Sequence, residues 1–149
     1  MKKAIFTLLG IVLATASVVA ATLGDNDRVI KYEELPAKAR TFINDHFPND
    51  AASTVWEDKE HSHTEYKVVL ASGTKIEFDA AGEWDDVECR GCAVPAAIVP
   101  AKIADYVAKH YASSTIVEIA KDRNDWDVKL SNGLELEFDK EYRLVEVDD

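Results

Sequence analysis

The chain has 149 residues, of which 30% are charged and 47% hydrophobic, and its formal net charge at pH 7 is −11. Nucleic acid and anionic membrane surfaces are disfavoured as partners, because binding to them depends on basic patches. An acidic protein favours cationic proteins, peptides or metal ions, although acidity also simply serves solubility.

Residues 1–21 have the pattern of a secretory signal peptide. Lys2 and Lys3 form a basic start, an apolar run follows over 4–16, and small residues offer a cleavage site near Ala20 or Ala21. The apolar run is shorter than the roughly 20 residues of a spanning helix, so an uncleaved membrane anchor is the weaker alternative. We expect a mature protein that is periplasmic or secreted, with no membrane association and a formal charge of −13 once two lysines are removed.

Two segments have apolar residues at helical spacing, and a proline stands at the start of each. Pro36 suits the first turn of a helix, where its missing N–H costs nothing, and Pro48 ends the run. The apolar positions of the two helices are Leu35, Ala39, Phe42, Ile43, His46 and Phe47, then Val99, Ile103, Tyr106, Val107, His110 and Tyr111. His46 and His110 occupy matching places, which favours a packing role over a catalytic one.

Four strands are predicted after each helix. They cover 53–59, 64–71, 74–79 and 83–88, then 114–121, 125–131, 134–139 and 142–147, and a short extended segment at 29–32 precedes the first helix. Apolar and polar residues alternate cleanly within the second and third strands of each half, which indicates a sheet with one covered and one solvated face. Gly73 and Gly133 fall where two-residue hairpin turns need positive φ.

The two halves of the chain match each other. The helices align at an offset of 64, the first strands at 61 and the later strands at 60, and a period of this length suits two copies of a small α+β module. We therefore predict an α+β fold made by tandem duplication of an α-β-β-β-β module, over residues 22–89 and 90–149. About eight antiparallel strands would form one compact unit with both helices on one face.

The solvated face of this sheet is the first candidate binding surface. Its predicted side chains are Lys67, Lys75, Glu77, Asp127, Lys129, Glu135 and Glu137. Mixed charges can simply pair across strands, each exposed pair contributing less than about 1 kcal/mol. The alternative is a broad docking surface.

Cys89 and Cys92 form a CxxC between the two halves. In an oxidising compartment two cysteines commonly pair, so this is a candidate disulfide; idle thiols are the bland alternative. Redox catalysis would need a lowered thiolate pKa, typically at a helix N-terminus. Here Pro95 and Pro100 separate the pair from the predicted second helix.

His61 and His63 lie among carboxylates at the tip of the first predicted hairpin. Alternate histidines beside acids can hold a divalent metal, but a solvated hairpin tip is the simpler interpretation. The sequence contains no GxSxG, HExxH or phosphate-binding glycine loop. We therefore expect no catalytic residues and no cofactor.

A proline-led helix followed by a strand meander with a glycine turn, then Ile76, Glu77, Phe78 and Asp79 or their second-half counterparts, occurs twice. This arrangement resembles the PepSY-like secreted proteins common in gut Bacteroidetes, whose fold is β-lactamase-inhibitor-protein-like. The resemblance covers about residues 29–148. It implies helices stacked on one side of an antiparallel sheet, and relatives in this wide group bind or inhibit proteins.

The sequence thus predicts a non-enzymatic periplasmic binding or inhibitor-like module that docks an unknown, possibly cationic, protein or peptide through the sheet face or hairpin tips. The alternative is a small redox or metal-handling protein that uses Cys89 and Cys92, or His61 and His63.

Overall fold

The computed structural model describes residues 27–60 and 62–149, so the predicted signal peptide and cleavage site lie outside the described residues. Nine antiparallel strands form a single sheet in sequence order. The strands are β1 Asp27–Val29, β2 Ala52–Glu60, β3 His63–Leu70, β4 Lys75–Asp79, β5 Trp84–Glu88, β6 Ile116–Lys121, β7 Asp125–Leu130, β8 Glu135–Asp139 and β9 Leu144–Asp148. The helices are α1 Ala37–His46 and α2 Ala101–His110.

The α+β class with two helices and an antiparallel sheet is confirmed, but the sheet has nine strands rather than about eight. The additional strand is β1, which pairs with β2 through Asp27↔Asp58 to Val29↔Trp56. It begins and ends before most of the extended segment that the sequence predicts at 29–32. Three residues are too few for an alternating pattern to predict a strand from the sequence. The extended conformation of β1 is instead fixed by its pairing with β2.

Each helix begins one residue after a proline and ends at a histidine. Within the described ranges, no helix combines the length and the apolar character that crossing a membrane requires. The histidine rings pack on the aromatic residue one turn earlier, at 4.6 Å between the centroids of Phe42 and His46 and 4.3 Å between those of Tyr106 and His110. This matches the predicted packing role.

Both helices cover the same face of the sheet. Phe78 and Phe138 are fully buried beneath them, as the alternation predicts. Phe42 of α1 meets Phe78 edge-on at 5.7 Å, and Tyr106 of α2 meets Phe138 edge-on at 5.5 Å. Such pairs are a favoured aromatic geometry, and they fix each helix over its own group of strands.

The two helix-and-strand segments share one core. Strands β5 and β6 pair with Val87 opposite Ile119, and both side chains are fully buried. On the same face, the Trp84 and Trp126 rings lie 6.1 Å apart. The halves are therefore joined through hydrogen bonds and through continuous apolar packing.

The strand register corrects one part of the predicted alignment. Val55 pairs with Val68, and Ile119 pairs with the equivalent Val128. The offset between β2 and β6 is therefore 64, and the predicted offset of 61 is wrong. The whole change from 64 to 60 lies in the β2–β3 hairpin, which is four residues longer than the β6–β7 hairpin.

The turns before β5 and β9 have the same backbone shape with different residues. Gly82 has φ +84°, and Tyr142, sixty positions later, has φ +64°. A non-glycine residue is strained there, and the Tyr142 ring packs 5.7 Å from that of Trp126. Aromatic packing thus holds in the second turn a conformation that glycine adopts freely in the first.

Candidate functional site

The outer face is defined here as the side of the sheet opposite α1 and α2. One line of side chains crosses it in direct cross-strand register from β3 to β9, in the order Lys67, Glu77, Asp86, Ala120, Asp127, Glu137 and Glu146. We call its five carboxylates the acidic row: Glu77, Asp86, Asp127, Glu137 and Glu146. Glu77 stands directly opposite Asp86, and Glu137 directly opposite both Asp127 and Glu146, while Ala120 of β6 separates Asp86 from Asp127.

A second line on the outer face, the mixed row, lies two residues further along each strand. Its members are Lys75, Glu88, Glu118, Lys129, Glu135 and Asp148. Lys75 Nζ lies 3.0 Å from Glu88 Oε2, and Lys129 Nζ lies 3.3 Å from Glu135 Oε1.

The structure places all seven predicted side chains in these two lines. Each is partly exposed rather than freely solvated. The remaining lysine, Lys67, lies 3.8 Å from Asp58 Oδ2 of β2. Each of the three lysines in these two lines lies near a carboxylate, and acidic residues outnumber lysines there by nine to three.

Burial and the charges of neighbouring carboxylates raise the pKa values of several of these groups. Burial, then the charges of Glu118 and Glu77, raises the pKa of Asp86 to about 8. Burial, then the charge of Glu88, raises the pKa of Glu118 to about 7. Burial also raises the pKa of Asp127 to about 6, with Glu137 as the next cause. A carboxylate in this state gains from any nearby cation that offsets its lost hydration.

Two of these groups, Asp86 and Glu118, are missing from the sequence-predicted set. The pairing of β4 with β5 shifts between Glu77 and Phe78, so the period of two that marks outward positions is broken just before Asp86. Glu118 is hidden by the wrong offset of 61, which sets it against Glu57. The pair of acids at Asp85 and Asp86 is the signal that could have pointed to the site.

The cysteine pair lies beside the outer face. Both residues are free thiols, Cys89 buried and Cys92 exposed, so the disulfide stays a prediction. Burial, then the neighbouring Cys92, raises the pKa of the Cys89 thiol to about 12. This is opposite to the shift that a nucleophilic thiolate requires, so it argues against Cys89 as the attacking thiol of a redox pair. An open depression of about 610 Å³ adjoins the pair and reaches Lys129 and Ser131.

The histidine hairpin is only partly described. His61 lies outside the described residues, and His63 Nε2 is 2.7 Å from Glu65 Oε1. Across 27–60 and 62–149, no group of three or more His, Cys, Asp or Glu side chains is arranged to hold a metal ion.

Comparison with known proteins places the chain in a family. A family model described as proposed β-lactamase-inhibitor-like, PepSY-like proteins matches residues 64–146. The search of curated proteins returned no match.

Three solved structures are similar over nearly their whole length. The first is a proposed periplasmic protein of the DUF2874 family from Bacteroides vulgatus ATCC 8482, with 37% identity, coverage of 85% of this chain and 99% of that chain, and a TM-score of 0.81. The second is a proposed calcium-regulated periplasmic protein from Bacteroides thetaiotaomicron, with 35% identity, coverage of 83% and 97%, and a TM-score of 0.80.

The third is a proposed periplasmic protein of unknown function from Bacteroides vulgatus ATCC 8482, with 31% identity, coverage of 83% and 99%, and a TM-score of 0.79. Identity at this level over 83–85% of this chain, together with the family model, confirms the resemblance drawn from the helix and strand motifs. The chain belongs to the PepSY-like family.

Proposed function

We propose that this protein is a non-enzymatic, periplasmic binding module whose outer face docks a cationic protein or peptide. The observation that carries the proposal is the acidic row, in which five carboxylates from five strands share one line of register. Like charges directly opposite each other are destabilising in a sheet. A structure that keeps them together gains stability when a basic partner neutralises them.

The contacts around the row support a protein or peptide partner. The row extends from β4 to β9, so a partner could contact it with several side chains. The neighbouring Lys75 and Lys129 form ion pairs with Glu88 and Glu135. One relative is described as calcium-regulated; in the part of this chain that the structure describes, no group of three or more His, Cys, Asp or Glu side chains is arranged to hold a metal ion.

We also propose that this surface arose by duplication and that the N-terminal segment is cleaved. Duplication of a helix-and-four-strand unit, 22–89 and 90–149, would set two acidic meanders side by side. Removal of residues 1–21 by cleavage would release the protein to the periplasm.

Affinity capture from periplasmic extract with two charge-matched variants tests the proposal. One variant carries Glu77→Lys, Glu135→Lys and Glu137→Lys on the outer face. The control carries Glu33→Lys, Asp45→Lys and Asp105→Lys at exposed positions on the helix side. The net charge changes equally, so a nonspecific electrostatic effect would weaken capture equally in both.

We expect the outer-face variant to lose a discrete partner that the wild type and the control both retain, as measured by quantitative mass spectrometry. Retention of every partner by the outer-face variant would show that this face is not the docking surface. Equal loss in both variants would reduce the effect to overall charge.

A further inference from the structure

Strand β9 forms one end of the sheet. It pairs with β8 through Glu135↔Asp148 to Phe138↔Leu144, and among the residues that the structure describes no strand pairs with its other edge. Two large apolar side chains of this strand are exposed to solvent, Val145 at 60% and Val147 at 42%. An open strand edge is a template for pairing with another chain.

The chain itself shows what a strand in this position does when it has a partner. Strand β5 follows β4 as β9 follows β8, sixty residues apart, with the same register shift at Glu77/Phe78 and Glu137/Phe138. The second edge of β5 is occupied by β6, and this pairing leaves Val87 fully buried against Ile119. Val147 stands in the place of Val87 but keeps 42% of its surface exposed. The geometry of β9 is therefore that of a strand able to carry a neighbour.

The side chains of β9 indicate which kind of strand would pair with it. Glu146 and Asp148 lie on the outer face at the ends of the acidic and mixed rows, while Val147 between them is in line with Leu136 on the helix side. An added antiparallel strand would set an apolar side chain beside Val147 and a side chain beside each carboxylate. Basic residues at those two places are favoured by the neighbouring Glu135 and Glu137 as well.

A second copy of the chain fits this edge poorly. Antiparallel pairing of β9 with β9 centred on Val147 sets Glu146 against Asp148 twice, and like charges directly opposite destabilise a pair. The formal net charge of −11 on each copy adds to the repulsion.

We propose that the free edge of β9 is a strand-addition site for an extended basic segment of a partner polypeptide, in which basic residues alternate with an apolar one. The backbone of the segment would pair with β9, and its basic side chains would face Glu146 and Asp148. This recognition mode takes affinity from main-chain hydrogen bonds and specificity from alternate side chains. The site lies at the edge of the sheet and takes only Glu146 from the acidic row, so it is tested separately from the rest of the outer face.

The experiment uses the full mature chain labelled with ¹⁵N and a synthetic peptide in which lysine alternates with valine. We expect chemical-shift changes centred on Val145, Val147 and Asp148, and slower hydrogen exchange of β9 amides. A peptide with glutamate for lysine, and one with a proline in place of the central valine, should bind at least about tenfold more weakly, because each loses the charge match or the strand pairing.

The variant with Glu146→Lys and Asp148→Lys should lose the lysine peptide and gain the glutamate peptide. These two positions are at the sheet edge, and far-UV circular dichroism and the remaining amide shifts verify the fold. The variant with Glu77→Lys, on β4 at the opposite end of the acidic row from β9, should still show peptide-induced shifts on β9, so a failure of the outer-face proposal is distinguishable from a failure here.

Three results would overturn the strand-addition site. They are peptide shifts centred on β4 to β7 instead of β9, undiminished binding of the proline peptide, and undiminished binding of the lysine peptide to the edge variant. A concentration-dependent dimer that the edge variant abolishes would instead assign β9 to a second copy.

Discussion

At the scale of single residues, two glycines with a similar positive φ differ in what surrounds them. Gly82 has φ +84°, and a Cβ built on it would lie 2.8 Å from Pro36 Cβ and 3.0 Å from the Ala39 backbone nitrogen. The turn before β5 therefore packs directly on the start of α1. Gly133 has a similar φ of +95°, but nothing lies within 4 Å of its Cβ position.

Gly82→Ala is expected to destabilise the protein by about 3 kcal/mol, the sum of left-handed strain and overpacking against α1. Gly133→Ala carries the strain alone and should cost about 1 to 2 kcal/mol. Urea unfolding of both variants measures the difference. Equal losses in the two would show that the contact with Pro36 adds nothing.

At the scale of elements, regular alternation makes β3, β4, β7 and β8 readable from the sequence, and the outward direction of Glu77 and Glu137 with them. The bulged strands are less readable, because an extra residue breaks the period of two before Asp86. The pairing of β1 and the position of β9 at the edge are set by the order of strands in the sheet. That order cannot be predicted from the three residues of β1 or the five residues of β9.

The raised carboxylates make stability depend on pH in a defined direction. The pKa of Asp86 is about 8 in the folded protein against an ordinary value of 3.8, so the folded state holds a proton that the unfolded state releases. The free energy of unfolding should therefore be fully supported at about pH 4 and fall as the pH rises towards about 8. Glu118, with a pKa of about 7, acts in the same direction.

Asp86→Asn removes this titration. From about pH 5 to about pH 9, the free energy of unfolding of the variant should rise by about 1 to 3 kcal/mol relative to that of the wild type. Urea unfolding at both pH values measures this difference. Asp105→Asn, at an exposed position on α2, is the matched control and should leave the pH dependence unchanged. An Asp86→Asn variant that follows the wild-type pH profile would contradict the burial of this carboxylate.

At the scale of the whole molecule, the junction of β5 and β6 makes one unit of two similar halves. Ile119→Ala should cost about 2 to 4 kcal/mol through the cavity it leaves beside Val87, and unfolding should stay a single transition by both circular dichroism and tryptophan fluorescence. Val145→Ala, at 60% exposure, should cost almost nothing. Two separate transitions in the wild type would mean that the halves fold independently.

The family resemblance and the one-sided sheet were accessible from the sequence because turn glycines, helix prolines and strand aromatics report on architecture. The candidate site was accessible only in part. Its charge comes from carboxylates brought into register by strands that are far apart in the chain, and the sequence pattern of one strand carries no information on the register of the next.

Site-specific photocrosslinking in the native periplasm tests the docking surface most directly. A photoreactive amino acid replaces Glu137, on β8 of the outer face, in one protein and Lys109, exposed on α2, in another. We predict a crosslinked product of discrete mass from position 137 and none from position 109. The same product from position 109, with none from position 137, would contradict docking on the acidic row.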